Sequence, residues 1–137
     1  MKIATFPGNY ASVRHICKLV MENAKLINFS SKDLYGIELA VDEACANIID
    51  HAYGAENIGT IDLFIEIRDD QLRIVLEDRG APFEAAEVLP PDLESPLEIR
   101  AERGLGVFLI KTLMDEIYFE TPEPGLNRLT MTKRPSV

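Results

Sequence analysis

The chain has 137 residues, 47% of them apolar and 27% charged, a balance that fits one globular domain with a proper core. Its formal charge of −9 argues against a sequence-independent DNA or RNA binder, since neutralising phosphates takes clustered Lys and Arg. No apolar run approaches the ~20 residues of a membrane span and no signal-peptide pattern opens the chain, so the cytoplasm is the expected compartment.

Lys2 to Phe6 reads as a short strand, ended by Pro7-Gly8. A helix follows from about Tyr10 to Asn28, with Val13, Ile16, Cys17, Val20, Ala24 and Ile27 as its apolar stripe and Arg14, Lys18, Glu22 and Lys25 pointing away. The next helix opens at Ser30 or Ser31, with Asp33 placed for a capping-box contact, and should end near Tyr53-Gly54. Its stripe is Leu34, Ile37, Val41, Ala44, Cys45 and Ile48. Cys17 and Cys45 lie on these stripes and read as buried structural thiols; with no Cys-x-x-Cys and two isolated histidines, a zinc site is not expected.

Two strands come next. Ile61, Leu63, Ile65 and Ile67 alternate with Thr60, Asp62, Phe64, Glu66 and Arg68; Leu72, Ile74 and Leu76 alternate with Arg73, Val75 and Glu77, and Asp69-Asp70 form the turn between. From Ala81 to Arg103 neither period survives: prolines 82, 90, 91 and 96 break it and acidic residues keep it wet, as in a lid or binding loop. A helix from about Gly104 to Asp115 is apolar nearly all round and should be deeply buried. Strands Glu116–Thr121 and Arg128–Lys133 then flank a Pro122-Glu123-Pro124-Gly125 turn. The order β-α-α-β-β-loop-α-β-β predicts one α/β (α+β) domain over 1–137: a two-layer sandwich whose mixed, mainly antiparallel sheet carries its helices on one face.

Three stations carry chemistry. Glu43 and Asn47 stand one helical turn apart, away from the apolar stripe; an amide oxygen can ligate Mg²⁺ and a carboxylate can take a proton. Taken alone, the pair also reads as a solvated helix face. Asp78-Arg79-Gly80 lies where a strand runs out; the carboxylate can accept from a purine amine, or the stretch can be a plain turn. Arg103-Gly104-Leu105-Gly106 opens a helix whose free N–H groups can face phosphate oxygens, or can act as a hinge.

In this order the stations resemble the GHKL ATPases, the group of gyrase, the heat-shock chaperone ATPase, histidine kinases and mismatch-repair proteins. Glu43-Ala44-Cys45-Ala46-Asn47 matches the group's N box, Asp78-Arg79-Gly80 its first glycine box and Gly104-Leu105-Gly106 its second. Val41-Asp42-Glu43-Ala44, His51-Ala52-Tyr53 and Arg103 to Ile110 are most similar to the small anti-sigma factor serine kinases, and the resemblance covers nearly the whole chain.

The resemblance implies a Bergerat ATP-binding fold with an ATP lid at about 81–103. It implies ATP and Mg²⁺ as cofactors: Asn47 on the metal that bridges the phosphates, Glu43 as general base, Asp78 reading the adenine amine and Gly80 admitting the ring. Arg103, Gly104, Leu105 and Gly106 would line the phosphates. Arg14 matches the family arginine that contacts the sigma factor or the antagonist protein, and also reads as an ordinary exposed helix charge. The implied activity is phosphorylation of a small antagonist by a kinase that also sequesters a sigma factor, as a suggested dimer and without direct nucleic-acid contact. The alternative is a non-catalytic, nucleotide-gated protein-binding module of the same fold. Two features depart from the gyrase-like members: Ala81-Pro82-Phe83 replaces a further glycine, and the lid is short and acidic. Contacts to the γ-phosphate would therefore come from Arg100, Arg103 or backbone groups.

Overall fold

Period-two alternation sets the centre of the molecule. In the computed structural model, which describes residues 2–82 and 105–136, Ile61, Leu63 and Ile65 of β2 (Thr60–Arg68) turn to one face and are buried. Leu72, Ile74 and Leu76 of β3 (Gln71–Asp78) do the same. Asp69 and Asp70 form the tight turn between them, with φ of 52° and 62°, the left-handed conformation that suits the twist of a two-residue hairpin. Ile67, next to this turn, has run past the helical layer and stands 38% exposed.

β1 (Lys2–Pro7) pairs with β2 at one edge, while β4 (Glu116–Glu123) and β5 (Leu126–Lys133) complete the sheet in the order β1-β2-β3-β5-β4. Expected as mixed and mainly antiparallel, the sheet is antiparallel at every junction among the described residues. The last hairpin is longer than its prolines suggested, because β4 is an edge strand and Pro122 can sit in it without costing the sheet a bond. Glu123 pairs with Leu126, leaving Pro124-Gly125 as the turn.

The helices cover the apolar face. α1 (Tyr10–Ala24) starts where the Asn9 side chain accepts from Ser12 N at 2.9 Å. It stops four residues before the expected Asn28, and Ile27 and Phe29 then drop into the core. α2 (Ser31–Asn47) is capped by Ser30 Oγ, which accepts from Asp33 N at 3.1 Å. The carboxylate of Asp33 also serves the chain's far end, accepting from Ser136 N at 2.9 Å and Ser136 Oγ at 2.7 Å. Those bonds, more than burial opposes them, hold its pKa below the usual carboxylate range, with Lys133 adding to the effect.

Beyond Asn47 the helix continues as a π-helix over Ile48–Tyr53, ending at Gly54 with φ 85°. The glycine stop follows from the sequence; the change of pitch does not. α3 (Leu105–Leu113) corrects another expectation, since it is not deeply buried. It packs on α2 and the start of β4, burying Val107 and Ile110, while Phe108 on the opposite side stands 45% exposed. Among the described residues no helix is long and apolar enough to cross a membrane. Cys45 is fully buried and Cys17 half-buried; burial pushes both thiols up, Cys17 to about 11, as expected for inert structural cysteines.

Candidate functional site

α2 carries the acid and the amide on the side where α3 begins. Glu43 and Asn47 are both half-buried, and Gly106, in the first turn of α3, comes directly against them. A Cβ at Gly106 would lie 2.9 Å from Glu43 Oε2, 3.5 Å from Asn47 Oδ1 and 3.7 Å from Asn47 Nδ2. Two stations separated by nearly sixty residues in the chain therefore meet. Burial raises the pKa of Glu43, and the neighbouring Asp42 carboxylate raises it further.

The third station closes off β3. Asp78 is buried, and its Oδ1 accepts from Gly80 N at 2.9 Å and from Asn127 Nδ2 at 2.8 Å. Among the described residues no hydrogen bond reaches Oδ2. Burial raises the pKa of Asp78, while the bonds from Asn127 and Gly80 pull it back.

Gly80 itself packs against the π-helix. A Cβ there would stand 2.5 Å from the carbonyl carbon of Ala52. The position needs glycine because backbone fills the space a side chain would take, a more specific reason than admitting a ring. The same contact brings two bonds: Ala81 N donates to Ala52 O at 2.8 Å, and Arg79 N donates to Tyr53 Oη at 2.9 Å. Tyr53 Oη in turn donates to Thr60 O at 2.6 Å. Tyr10 at the start of α1 donates to Asp50 of the π-helix, a bond that pushes its pKa up to about 12, with lesser help from burial. His51, read as structural or solvated, is exposed on this turn.

Arg14 is exposed on α1, where α1 and α2 form a groove of about 710 Å³ lined also by Lys18, Tyr35, Glu38 and Asp42. Arg100, Arg103, Gly104 and the lid from Phe83 to Arg103 lie outside the described residues, and of Leu105 only the helical backbone is described. Sequence reading missed Asn127, Ala52 and Tyr53. Asn127 was legible in principle: it shares the sheet face of Leu129 and Met131, where an amide is out of place.

An antiparallel sheet with a helical layer on one face, and an acid–amide helix meeting the glycine start of another, defines a nucleotide-binding two-layer sandwich. Residues 6–133 match the histidine kinase-like ATPase domain, and the chain belongs to that family. It is 37% identical over 107 residues to the serine-protein kinase RsbW of Bacillus cereus (strain Q1), covering 74% of this chain and 66% of that one. The chain thus spans just under two thirds of the length of the curated relatives it matches. Among solved structures, that of the RsbU and RsbW domains of Rv1364c from Mycobacterium tuberculosis superposes with a TM-score of 0.61 at 17% identity, over 96% of this chain and 30% of that one. The histidine kinase domain from the Erythrobacter litoralis EL346 blue-light activated histidine kinase gives a TM-score of 0.51 at 22% identity, over 74% and 44%. At those identities the two structures speak for the fold alone.

Proposed function

We propose that this chain is an ATP-dependent protein serine kinase that phosphorylates a small antagonist protein and holds a sigma factor, acting in the cytoplasm. The observation that carries this reading is the approach of Gly106 to both Glu43 and Asn47. A carboxylate, an amide and the first turn of α3 share one small space, and this supports the reading of a Mg²⁺-ATP site. The named activity of the Bacillus relatives supports the same choice.

When bound, Mg²⁺-ATP supplies the γ-phosphoryl group and ADP as the leaving group. Asn47 would hold the metal through its side-chain oxygen. Asp78 presents Oδ2 to the exocyclic amine of adenine. The first N–H groups of α3 are the donors available to the phosphates, and the resemblance adds Arg103, Gly104, Leu105 and Gly106 as phosphate-lining residues. Glu43 takes the proton from the incoming serine hydroxyl as that oxygen bonds to phosphorus and the bond to ADP breaks. Arg14, on the exposed side of α1, meets the protein partner.

Glu43 and Asn47 share a helix face but not a job, and this separates the kinase from a plain binding module. Asn47→Ala lowers both Mg²⁺-ATP affinity and turnover. Glu43→Gln keeps ATP affinity close to wild type and cuts phosphoryl transfer by ~10²–10⁴, the usual worth of a positioned base. Single-turnover transfer from radiolabelled ATP to candidate antagonists checks both. A Glu43→Gln protein that transfers at the wild-type rate removes the base assignment and leaves the nucleotide-gated binding module ahead.

A further inference from the structure

Asn127 is a buried amide on β5, directly opposite Asp78 in the ladder. Its Nδ2 donates to Asp78 Oδ1 at 2.8 Å, Gly80 O at 3.1 Å and Ala81 O at 3.1 Å. An amide nitrogen carries two hydrogens, so three acceptors share two donors. That arrangement also fixes which end of the amide is which, since its nitrogen alone can face three oxygens. The other end, Asn127 Oδ1, accepts from Thr121 Oγ1 at 3.5 Å. A buried amide engaged at both ends escapes the cost of an unpaired polar group and rigidifies what it holds.

We infer that Asn127 is a positioning residue for purine selectivity: it fixes the carboxylate of Asp78 so that Oδ2 faces the base, and ties it to the first carbonyls after β3. This deepens the ATP reading above and rests on it. A carboxylate free to turn about its last bond offers either oxygen, at any tilt, to whatever group the base presents. With Oδ1 held by Asn127 and Gly80 N, Oδ2 has one direction. Such an acceptor accepts the 6-amino group of adenine and repels the 6-oxo group of guanine or hypoxanthine. The bonds to Gly80 O and Ala81 O extend the hold to the two residues that follow Arg79.

The test measures dissociation constants of ATP, GTP and inosine triphosphate for wild type, Asn127→Ala and Asn127→Asp by calorimetry, with a thermal melt of each protein. Wild type should prefer ATP by about tenfold or more, the worth of a hydrogen bond to a charged group. Asn127→Ala should lose most of that preference, weakening ATP while leaving the 6-oxo nucleotides nearly unchanged. Asn127→Asp should lose it too, because a second carboxylate faces Asp78 where a donor stood. A residue with only a structural role would lower the melting temperature and move all three constants together, so an unchanged ATP/GTP ratio in Asn127→Ala overturns the inference. Wild type without preference for ATP overturns the adenine reading itself. Where neither variant folds, the wild-type side-chain amide of Asn127 decides by NMR. Its two resonances should shift when ATP saturates the protein, and unmoved resonances overturn the inference.

Discussion

Gly80 and Gly106 belong to the two glycine motifs, yet replacing each by alanine should fail in opposite ways. At Gly80 the added methyl lands 2.5 Å from the carbonyl carbon of Ala52 and 2.8 Å from its Cβ. Backbone must move, and the bonds from Ala81 N to Ala52 O and from Arg79 N to Tyr53 Oη move with it. Overpacking of that kind costs about 1–3 kcal/mol, which for a domain of this size is a fall of several degrees in melting temperature. At Gly106 the methyl meets the tip of a side chain, Glu43 Oε2 at 2.9 Å, and ordinary contact needs the carboxylate to retreat by a few tenths of an ångström or to turn. Folding loses little there, and alanine's better helix propensity returns up to ~1 kcal/mol. Phosphoryl transfer is less forgiving, since a misplacement on the order of 1 Å costs about a hundredfold in rate. Gly106→Ala should therefore melt at or slightly above the wild-type temperature and turn over about ten to a hundred times more slowly. Gly80→Ala should melt several degrees lower and bind ATP weakly. Calorimetric melts and single-turnover assays on the two variants suffice. Gly106→Ala with full activity would refute the placement of α3 against Glu43, and Gly80→Ala with wild-type stability would refute the contact with Ala52.

Asp78→Asn can keep its oxygen on Gly80 N and Asn127 Nδ2 and so stay folded, but it must then point an NH₂ at the adenine amine. Calorimetry should find ATP affinity lower by about 1–3 kcal/mol, and equal affinity would sink the adenine assignment. Arg14→Ala should weaken capture of the sigma factor or antagonist in pull-downs while ATP affinity and melting temperature hold, since Arg14 lies exposed and off the apolar stripe; a lower melting temperature with unaltered capture would make Arg14 structural. The pH response should differ between two carboxylates. Asp33 has a lowered pKa in the fold, so its stabilisation is present above the unfolded value near 3.8 and fades as pH falls through the lowered one. In pH-dependent melts, Asp33→Asn should thus be less stable by about 1 kcal/mol at neutral pH and converge on wild type in acid. Glu43 is the reverse: its raised pKa favours the protonated form in the fold, and the stabilisation is lost as pH rises through it. Glu43→Gln should be the more stable protein at pH 7, by less than about 1 kcal/mol because the carboxylate stays partly solvated, with the gain vanishing near pH 4.

The regular elements were legible because each has one period and one buried face. The strand over Thr60–Arg68 and the glycine stop after Tyr53 stand where the residues put them. Legibility failed where a residue's environment comes from another part of the chain. The apolar surround of α3 suggested deep burial, but nothing local says that its neighbours cover one side only. Asn127 escapes a sequence reading because the turn prolines delay the expected strand to Arg128, two residues past its start at Leu126. The pairing of Asp78 with Asn127 is a matter of register between strands 49 residues apart, and no local pattern carries it.

The π-helix links the helix that bears Glu43 and Asn47 to the backbone that follows Asp78. A helix that carries Glu43 and Asn47 must end somewhere, and its last carbonyls need partners. Here the partner of Ala52 O is Ala81 N, three residues beyond Asp78, while the hydroxyl of Tyr53 spans from Thr60 O to Arg79 N. The backbone after Asp78 thus caps the helix that bears the acid and the amide, through one main-chain bond and one bond to the Tyr53 hydroxyl. A wider turn at this point is a recurrent device at functional sites, because it redirects carbonyls that a regular helix would consume internally. Gly80 is required at this junction by the nearness of that carbonyl, and Asn127 holds the same two residues from the β5 side. Gly80 and Ala81 are therefore gripped between the end of one helix and strand β5.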